Sequence, residues 1–246
     1  MKTIKNKHVL VICSGNSILK YKEKIDNFIK KEKPITIGCK NMGHMFVPDY
    51  HVWTDNRGYS TFGKNMNKRT VPVFSSLMTE KTIRRYWKKE YLIANYTPRK
   101  WKPSYEDPKS HKYGEAEVYC EKGKMYGALT TTGCVAVFWA HMKKASKINI
   151  VGMDGYTLYS LEELKNADKT QHCYGKGFSD ELAFKRKVNG LSDKKFKAVY
   201  KNHIRRDSDV AKTLRSMKKY KVNFEIITPT VFKKYYNPNV LNIKPD

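Results

Sequence analysis

The chain is poor in acidic residues and poor in arginine. Among 246 residues there are 23 Asp and Glu against 49 Lys and Arg, a formal net charge of +26, and only nine of the 49 cations are Arg. A protein that grips a polyanion by geometry leans on the forked guanidinium. A Lys excess spread along the whole chain instead describes a solvated surface, compatible with weak attraction to an anionic membrane face. Specific nucleic-acid binding is therefore not expected. No apolar run approaches the roughly 18 residues that a membrane span needs, and Val9–Cys13 is too short for the core of a signal peptide. The five cysteines, Cys13, Cys39, Cys120, Cys134 and Cys173, are an odd number with no CxxC pair. They read as thiols of a reducing compartment rather than a disulfide framework. Together these absences point to a cytoplasmic chain, peripheral at most to the inner membrane face. HExxH, GxSxG, GxGxxG and P-loop patterns are all missing, so neither a zinc protease, an α/β-hydrolase nor a standard dinucleotide or Walker site is expected.

What is present is a globular composition, 40% hydrophobic and 13% aromatic, of a length that suits one well-packed domain. His8–Cys13 is a short continuous apolar run, and further short strand candidates follow at Pro34–Cys39, Asp49–Asp55, Thr70–Ser75, Lys147–Gly152 and Val222–Ile227. Such runs belong to strands buried on both faces of a parallel sheet. Between them lie helical patterns at Ile18–Lys31, Thr79–Lys89, Cys134–Lys144 and Asp207–Tyr220, the last with Val210, Leu214 and Met217 on one face. The alternation predicts an α/β fold, a doubly wound, mostly parallel, Rossmann-like sheet. Residues 95–126, with Pro98, Pro103 and Pro108, and the Lys-rich stretch 161–201 break the pattern and are expected to be loops or lids inserted into it.

Ligands of such sheets bind beyond the carboxyl ends of the strands, and the small polar clusters of this chain all follow strands. Ser14-Gly15-Asn16-Ser17 stands between the first strand and first helix. It suits a phosphate or sugar approaching the backbone, or simply a capped turn. Asn41 follows the second strand and Asp55-Asn56 the third. An Asn amide both donates and accepts, as a ribose or base edge requires, and equally serves a turn. Thr130-Thr131-Thr132-Gly133 opens the third helical pattern, where hydroxyls and amides cap a helix or hold an anion. Asp154-Gly155-Tyr156-Thr157-Leu158-Tyr159 follows the strand Lys147–Gly152. A Tyr hydroxyl there could donate to a departing phosphate without a metal, and Asp154 could hold a metal, a ribose or its own loop. His203 stands just ahead of the Asp207–Tyr220 pattern, where a helix dipole would help keep it neutral as a general base. His51, His111 and His172 compete for that role.

Four of these blocks, in order, resemble glycosyltransferase family 42, the bacterial sialyltransferases that use CMP-sialic acid. They are VLVICSGNSIL, ITIGCKN, TTTGCVAVFWAHMKKASKINIVGMDGYTLY and NHIRRDSDVAKTLRSMKKYKVNFEIITP, roughly a third of the chain, spread from one end to the other. The resemblance implies an inverting transfer of sialic acid or a related acidic keto-sugar from a CMP-activated donor to a surface glycan, with no metal or other cofactor. It implies that Gly15, Asn16, Ser17, Asn41, Asn56, Thr131, Thr132, Gly133 and Asp154 bind the donor. Tyr156 would stabilise the leaving phosphate with a second tyrosine, Tyr159 or Tyr174, and His203 would deprotonate the acceptor. The partners expected are the nucleotide sugar, the glycan acceptor and a second copy of the chain. Two other readings stay open: a pterin-type pyrophosphokinase using ATP and Mg²⁺ on Asp55 and Asp154, and a non-catalytic nucleotide- or glycan-binding protein of the same fold.

Overall fold

The structure, a computed structural model, describes residues 2–42, 45–98, 117–158, 173 and 193–244; for 193–199 and 202 it describes the backbone alone. The central sheet has seven strands, all parallel: β1 (His8–Ile12), β2 (Ile35–Cys39), β3 (Tyr50–Trp53), β4 (Val71–Ser75), β5 (Leu92–Ala94), β9 (Lys147–Val151) and β10 (Phe224–Ile226). Their order is β10-β9-β1-β2-β3-β4-β5. The chain winds outward from β1 in one direction through β5, then returns to add β9 and β10 on the other side. The order therefore reverses between β1 and β9, where the loops leaving the two carboxyl ends diverge and open a crevice.

The apolar runs form strands because both faces of the sheet are covered. Val9 and Val11 belong to the core on one face, Leu10 and Ile12 to the core on the other, and all four are inaccessible to water. Each such side chain contributes about 1.5–3 kcal/mol on burial. One face carries α1 (Ser17–Lys20), α2 (Lys22–Glu32), α3 (Asn56–Phe62) and α4 (Glu80–Arg84), which bury Ile18, Ile25, Phe28, Tyr59, Phe62 and Ile83. The other carries α5 (Thr132–Met142), packed on β1, β2, β3 and β9, with α6 (Asp193–Lys219) against it. Sandwiched between sheet and helix, α5 is apolar all round, and every residue from Thr132 to Ala140 is buried. This is the doubly wound, Rossmann-like architecture that the alternating pattern predicts.

Two expectations change. The stretch 95–126 is not loop throughout: its described ends form β6 (Tyr96–Pro98), β7 (Tyr119–Glu121) and β8 (Lys124–Gly127), a small second sheet of order β6-β8-β7. Local propensity hid these strands because each is only three or four residues long; β7 and β8 form a hairpin turned at Lys122-Gly123, while β6 finds β8 across the intervening segment. The last helix begins at Asp193, not at Asp207. The Lys-rich composition of 193–206 concealed it, although Phe196, Val199 and Tyr200 stand at the spacing that leads through His203 and Asp207 into the stripe of Val210, Leu214 and Met217. Residues 99–116, 161–172 and 174–192, which hold most of both expected lids, lie outside the described residues. None of the described helices is long and apolar enough to cross a membrane.

Candidate active site

Two loops meet at the crevice between β1 and β9, and they are fitted to each other through their backbones. The Cys13 N–H donates to Val151 O and the Gly15 N–H to Gly152 O, each at 2.9 Å. A Cβ on Gly15 would lie 2.5 Å from Asp154 Cγ, where no real Cβ sits. Gly152 takes φ +70°, a left-handed conformation that glycine adopts without strain, and a Cβ there would lie 2.6 Å from Cys13 O. The segment after β10 braces the second loop: Thr228 Oγ1 accepts from the Gly152 N–H, the Thr230 hydroxyl donates to Met153 O, and the Val231 N–H donates to Asp154 O. Gly15→Ala is accordingly expected to destabilise the chain by at least 1–3 kcal/mol through overpacking against backbone. Denaturant unfolding checks this, and an unchanged midpoint would show that the loops can part freely.

Asp154 ties the loops together. Its Oδ2 accepts from the Ser17 N–H at 2.7 Å and its Oδ1 from the Ser17 hydroxyl at 2.5 Å, 97% out of solvent. Burial pushes its carboxyl up to about 6, against the opposing pull of the two Ser17 hydrogen bonds. Ser17 is thus bound to Asp154 and does not line the crevice, and Asn16 stands beside it as the N-cap of α1, without a side-chain capping bond.

Above this junction lies a cleft of about 450 Å³, within the range of small-molecule sites. Gly15, Thr131, Thr132, Gly133, Asp154 and Tyr156 all line it. These six expected site residues come from three separate stretches of sequence. The amino end of α5 points into the cleft. Thr131 caps it by accepting from the Cys134 N–H at 3.2 Å, and Thr132 Oγ1 lies 2.6 Å from Thr54 Oγ1. The first N–H groups of a helix lack intrahelical acceptors and carry its positive dipole end. Two cations, Lys40 and Arg206, also line it, as do the carboxylates of Asp207 and Asp209. Lys40 Nζ pairs with Asp55 at 3.2 Å, and the Arg206 guanidinium sits 5.5 Å above the Tyr156 ring.

The remaining expected residues are distributed around this cleft. The His203 ring lies 5.2 Å from the Tyr156 ring, so the two residues expected to act on opposite ends of the reaction are neighbours. His203 is not at a helix start, however. It is the eleventh residue of α6, so the dipole at the amino end does not hold it neutral. Burial does so instead, helped by Arg206 and opposed by Asp207, and lowers its pKa below the usual histidine value. Asn41 lines a smaller adjoining cavity, and Asn56 accepts from the Thr79 N–H at 3.1 Å, joining the loops after β3 and β4. His51 is buried under Lys40, whose carbonyl its Nε2 meets. Tyr159, Tyr174, His111 and His172 lie outside the described residues.

Sequence reasoning passed over Asp207, which lines the cleft and organises it. One carboxylate takes three hydrogen bonds from the loop that carries Tyr156: from the Tyr156 N–H at 2.8 Å, the Thr157 N–H at 2.8 Å and the Thr157 hydroxyl at 2.6 Å. Its signal was available, since His203 and Asp207 are four apart and continue the stripe of Val210, Leu214 and Met217 up the same helix face. Lys40 and Phe232 also line the cleft; Lys40 stands in the block ITIGCKN without being singled out there, and no motif announced Phe232. Compared with models of known protein families and with curated protein sequences, the chain matches none.

Proposed function

We propose that the chain is an inverting glycosyltransferase that moves sialic acid, or a related acidic keto-sugar, from a CMP-activated donor to a hydroxyl of a glycan. The observation that carries this reading is the convergence at one cleft of the Gly15 turn, the α5 amino end and the Asp154–Tyr156 loop, with His203 against Tyr156. A nucleotide phosphate fits the α5 amino end, where backbone amides and the Thr131 and Thr132 hydroxyls offer donors. In the reaction an acceptor oxygen attacks the anomeric carbon while the bond from that carbon to the phosphate oxygen breaks. The acceptor proton passes to His203, and CMP leaves with the electron pair. The Tyr156 hydroxyl and Arg206 meet the charge that develops on the leaving phosphate, which makes a metal unnecessary for that step.

The pyrophosphokinase reading asks more of the same residues. Asp55 caps α3 by accepting from the Gly58 N–H and is paired with Lys40, while Asp154 already accepts twice from Ser17. Both carboxylates would have to leave these partners to hold Mg²⁺.

Thermal shift with nucleotides tests the proposal. CMP or CDP should raise Tm more than UDP, GDP or ATP with Mg²⁺, and ligand at about 100 times its Kd should stabilise by roughly 2.7 kcal/mol. Transfer from CMP-sialic acid should persist in EDTA, and Tyr156→Phe should lower kcat more than it weakens CMP binding. Preferential stabilisation by ATP with Mg²⁺, or loss of activity in EDTA, would overturn the reading.

A further inference from the structure

The start of α5 is bordered by cations from two different elements. On one side it meets α6, where Thr130 Oγ1 lies 3.4 Å from Thr213 Oγ1, and α6 supplies Arg206. On the other side it meets the carboxyl ends of β2 and β3. There Cys39 Sγ lies 4.0 Å from Thr132 O and Thr54 Oγ1 2.6 Å from Thr132 Oγ1. The residue after Cys39 is Lys40, whose ammonium reaches the residue after Thr54, Asp55. The carboxylates of the cleft lie elsewhere. Among the described residues that line it, Asp154 follows β9, and Asp207 and Asp209 belong to α6. Asp154 is engaged by Ser17, Asp207 by the Tyr156 loop, and Asp209 lies 3.9 Å from Lys212. The β2 side of the cleft thus presents a cation and no carboxylate of the lining.

Lys40 is fixed by its backbone in a conformation that side chains disfavour. Its φ is +52°, in the left-handed region. Its N–H donates to Val52 O at 3.2 Å, and its carbonyl accepts from His51 Nε2. Lys33, Lys144 and Lys221 adopt the same conformation just past helix ends, and Lys122 between β7 and β8, where each closes an element. Lys40 adopts it where a strand runs into the cleft. The partner of its ammonium is replaceable. The Lys40 and Asp55 side chains are each 43% exposed, and a pair so exposed contributes little. Asp55 also accepts from the Gly58 N–H at 2.6 Å. A carboxylate brought by a ligand can therefore take Lys40 without leaving Asp55 bare.

We propose that Lys40 sets the specificity of the cleft for an acidic sugar, by pairing its ammonium with the carboxylate of the donor. The inference rests on the glycosyltransferase reading of the cleft and adds the residue that selects the sugar. The nucleotide phosphate lies at the amino end of α5, toward Arg206 and Tyr156. The sugar carboxylate lies on the β2 side, so two anionic groups of one ligand meet two cations from opposite borders of the helix start. Turned the other way, toward α6, the carboxylate would face Asp209. A neutral sugar would leave Lys40 with Asp55 and gain nothing from it.

Lys40→Gly tests this without disturbing the fold, since glycine adopts φ +52° without strain and the carbonyl that meets His51 is kept. The probes are CMP, CMP-3-fluorosialic acid and the methyl ester of that sugar nucleotide, each titrated calorimetrically into the wild-type and variant chains. The fluorine disfavours positive charge at the anomeric carbon, so the sugar stays on its phosphate during the titration. In the wild type the acid should bind about tenfold more tightly than the ester, the low end for a hydrogen bond to a charged group, because Asp55 competes for the ammonium. Lys40→Gly should abolish that difference and leave the affinity for CMP unchanged. Lys40→Gln, which keeps most of the side chain's length, should do the same. Equal binding of acid and ester by the wild type, which requires no variant to fold, would overturn the proposal. So would a ratio that survives both substitutions, or a loss shared equally by all three ligands. A wild type that binds CMP but does not distinguish acid from ester would refute the role of Lys40 alone. A wild type that binds no CMP would refute the reading of the cleft itself.

Discussion

Replacing His203 by Ala is expected to lower turnover by about 10²–10⁴-fold, the usual contribution of a general base, while CMP still binds. A sugar hydroxyl is a weak nucleophile at neutral pH, and transfer requires a base within hydrogen-bond reach of it. His203 meets the electrostatic condition for that role. Burial and the neighbouring Arg206 disfavour its charged form, and both outweigh Asp207, so its pKa lies below the ordinary histidine value. It is therefore neutral, and able to accept a proton, at pH 7. The sign of the pH dependence follows: kcat/KM should rise with pH as His203 loses its proton, with an inflection below about 6.5, and should be flat above it. Its place against Tyr156 puts the base beside the cleft, on the same helix turn as Arg206 and Asp207. The measurement is the kcat and KM of His203→Ala with CMP-sialic acid, with CMP binding followed separately by thermal shift. A variant that retains most of its activity would remove His203 from the chemistry. His51 offers no ready substitute, since it lies buried beneath Lys40 with Nε2 engaged by a carbonyl.

The second large effect concerns Asp207, which accepts hydrogen bonds from the loop that carries Tyr156. Asp207→Ala deletes the acceptor of three hydrogen bonds and leaves two backbone N–H groups of the Tyr156–Thr157 loop without it. With each such loss worth about 1–3 kcal/mol and some relief from water entering the gap, a net cost of about 3 kcal/mol is expected. For a chain of this size that corresponds to a fall in Tm on the order of 6–12 °C. Stability alone would not establish a positioning role. The distinguishing readout is the double variant: if Asp207 serves catalysis by holding Tyr156, then Asp207→Ala lowers kcat in the wild-type background and has a much smaller further effect on kcat in Tyr156→Phe. Additive losses in kcat would mean that Asp207 supports the fold and not the placement of Tyr156. The measurement belongs at a temperature where all four proteins are folded.

The sheet could be read from the sequence because its signal is local. HVLVI, ITIGC and KINIV are short, apolar on both faces and separated by helical patterns, and only a parallel sheet covered on both sides buries such strands. The same locality made the Gly15 turn, the Thr131 cap and the Asp154–Tyr156 loop visible, since each follows a strand or opens a helix within a few residues. Where the decisive contacts span the chain, local reasoning missed them. The strands β6, β7 and β8 are too short to carry a period, and β6 pairs with β8 from far away in sequence. The start of α6 lies under a run of lysines, so the position of His203 at the helix amino end was an artefact of where the apolar stripe begins, and its lowered pKa has another cause. Ser17 looked like a ligand-binding hydroxyl until the fold brought Asp154, 137 residues away, to its side. Asp207 stood out as no more than the first residue of a helical pattern until the Tyr156 loop settled on it. Composition and periodicity determined that this chain builds a covered parallel sheet with polar turns at its carboxyl edge. Which of those polar groups face a ligand, and which are consumed in holding the loops together, was decided only by tertiary packing, because a hydrogen bond satisfied across the fold leaves no pattern in the sequence.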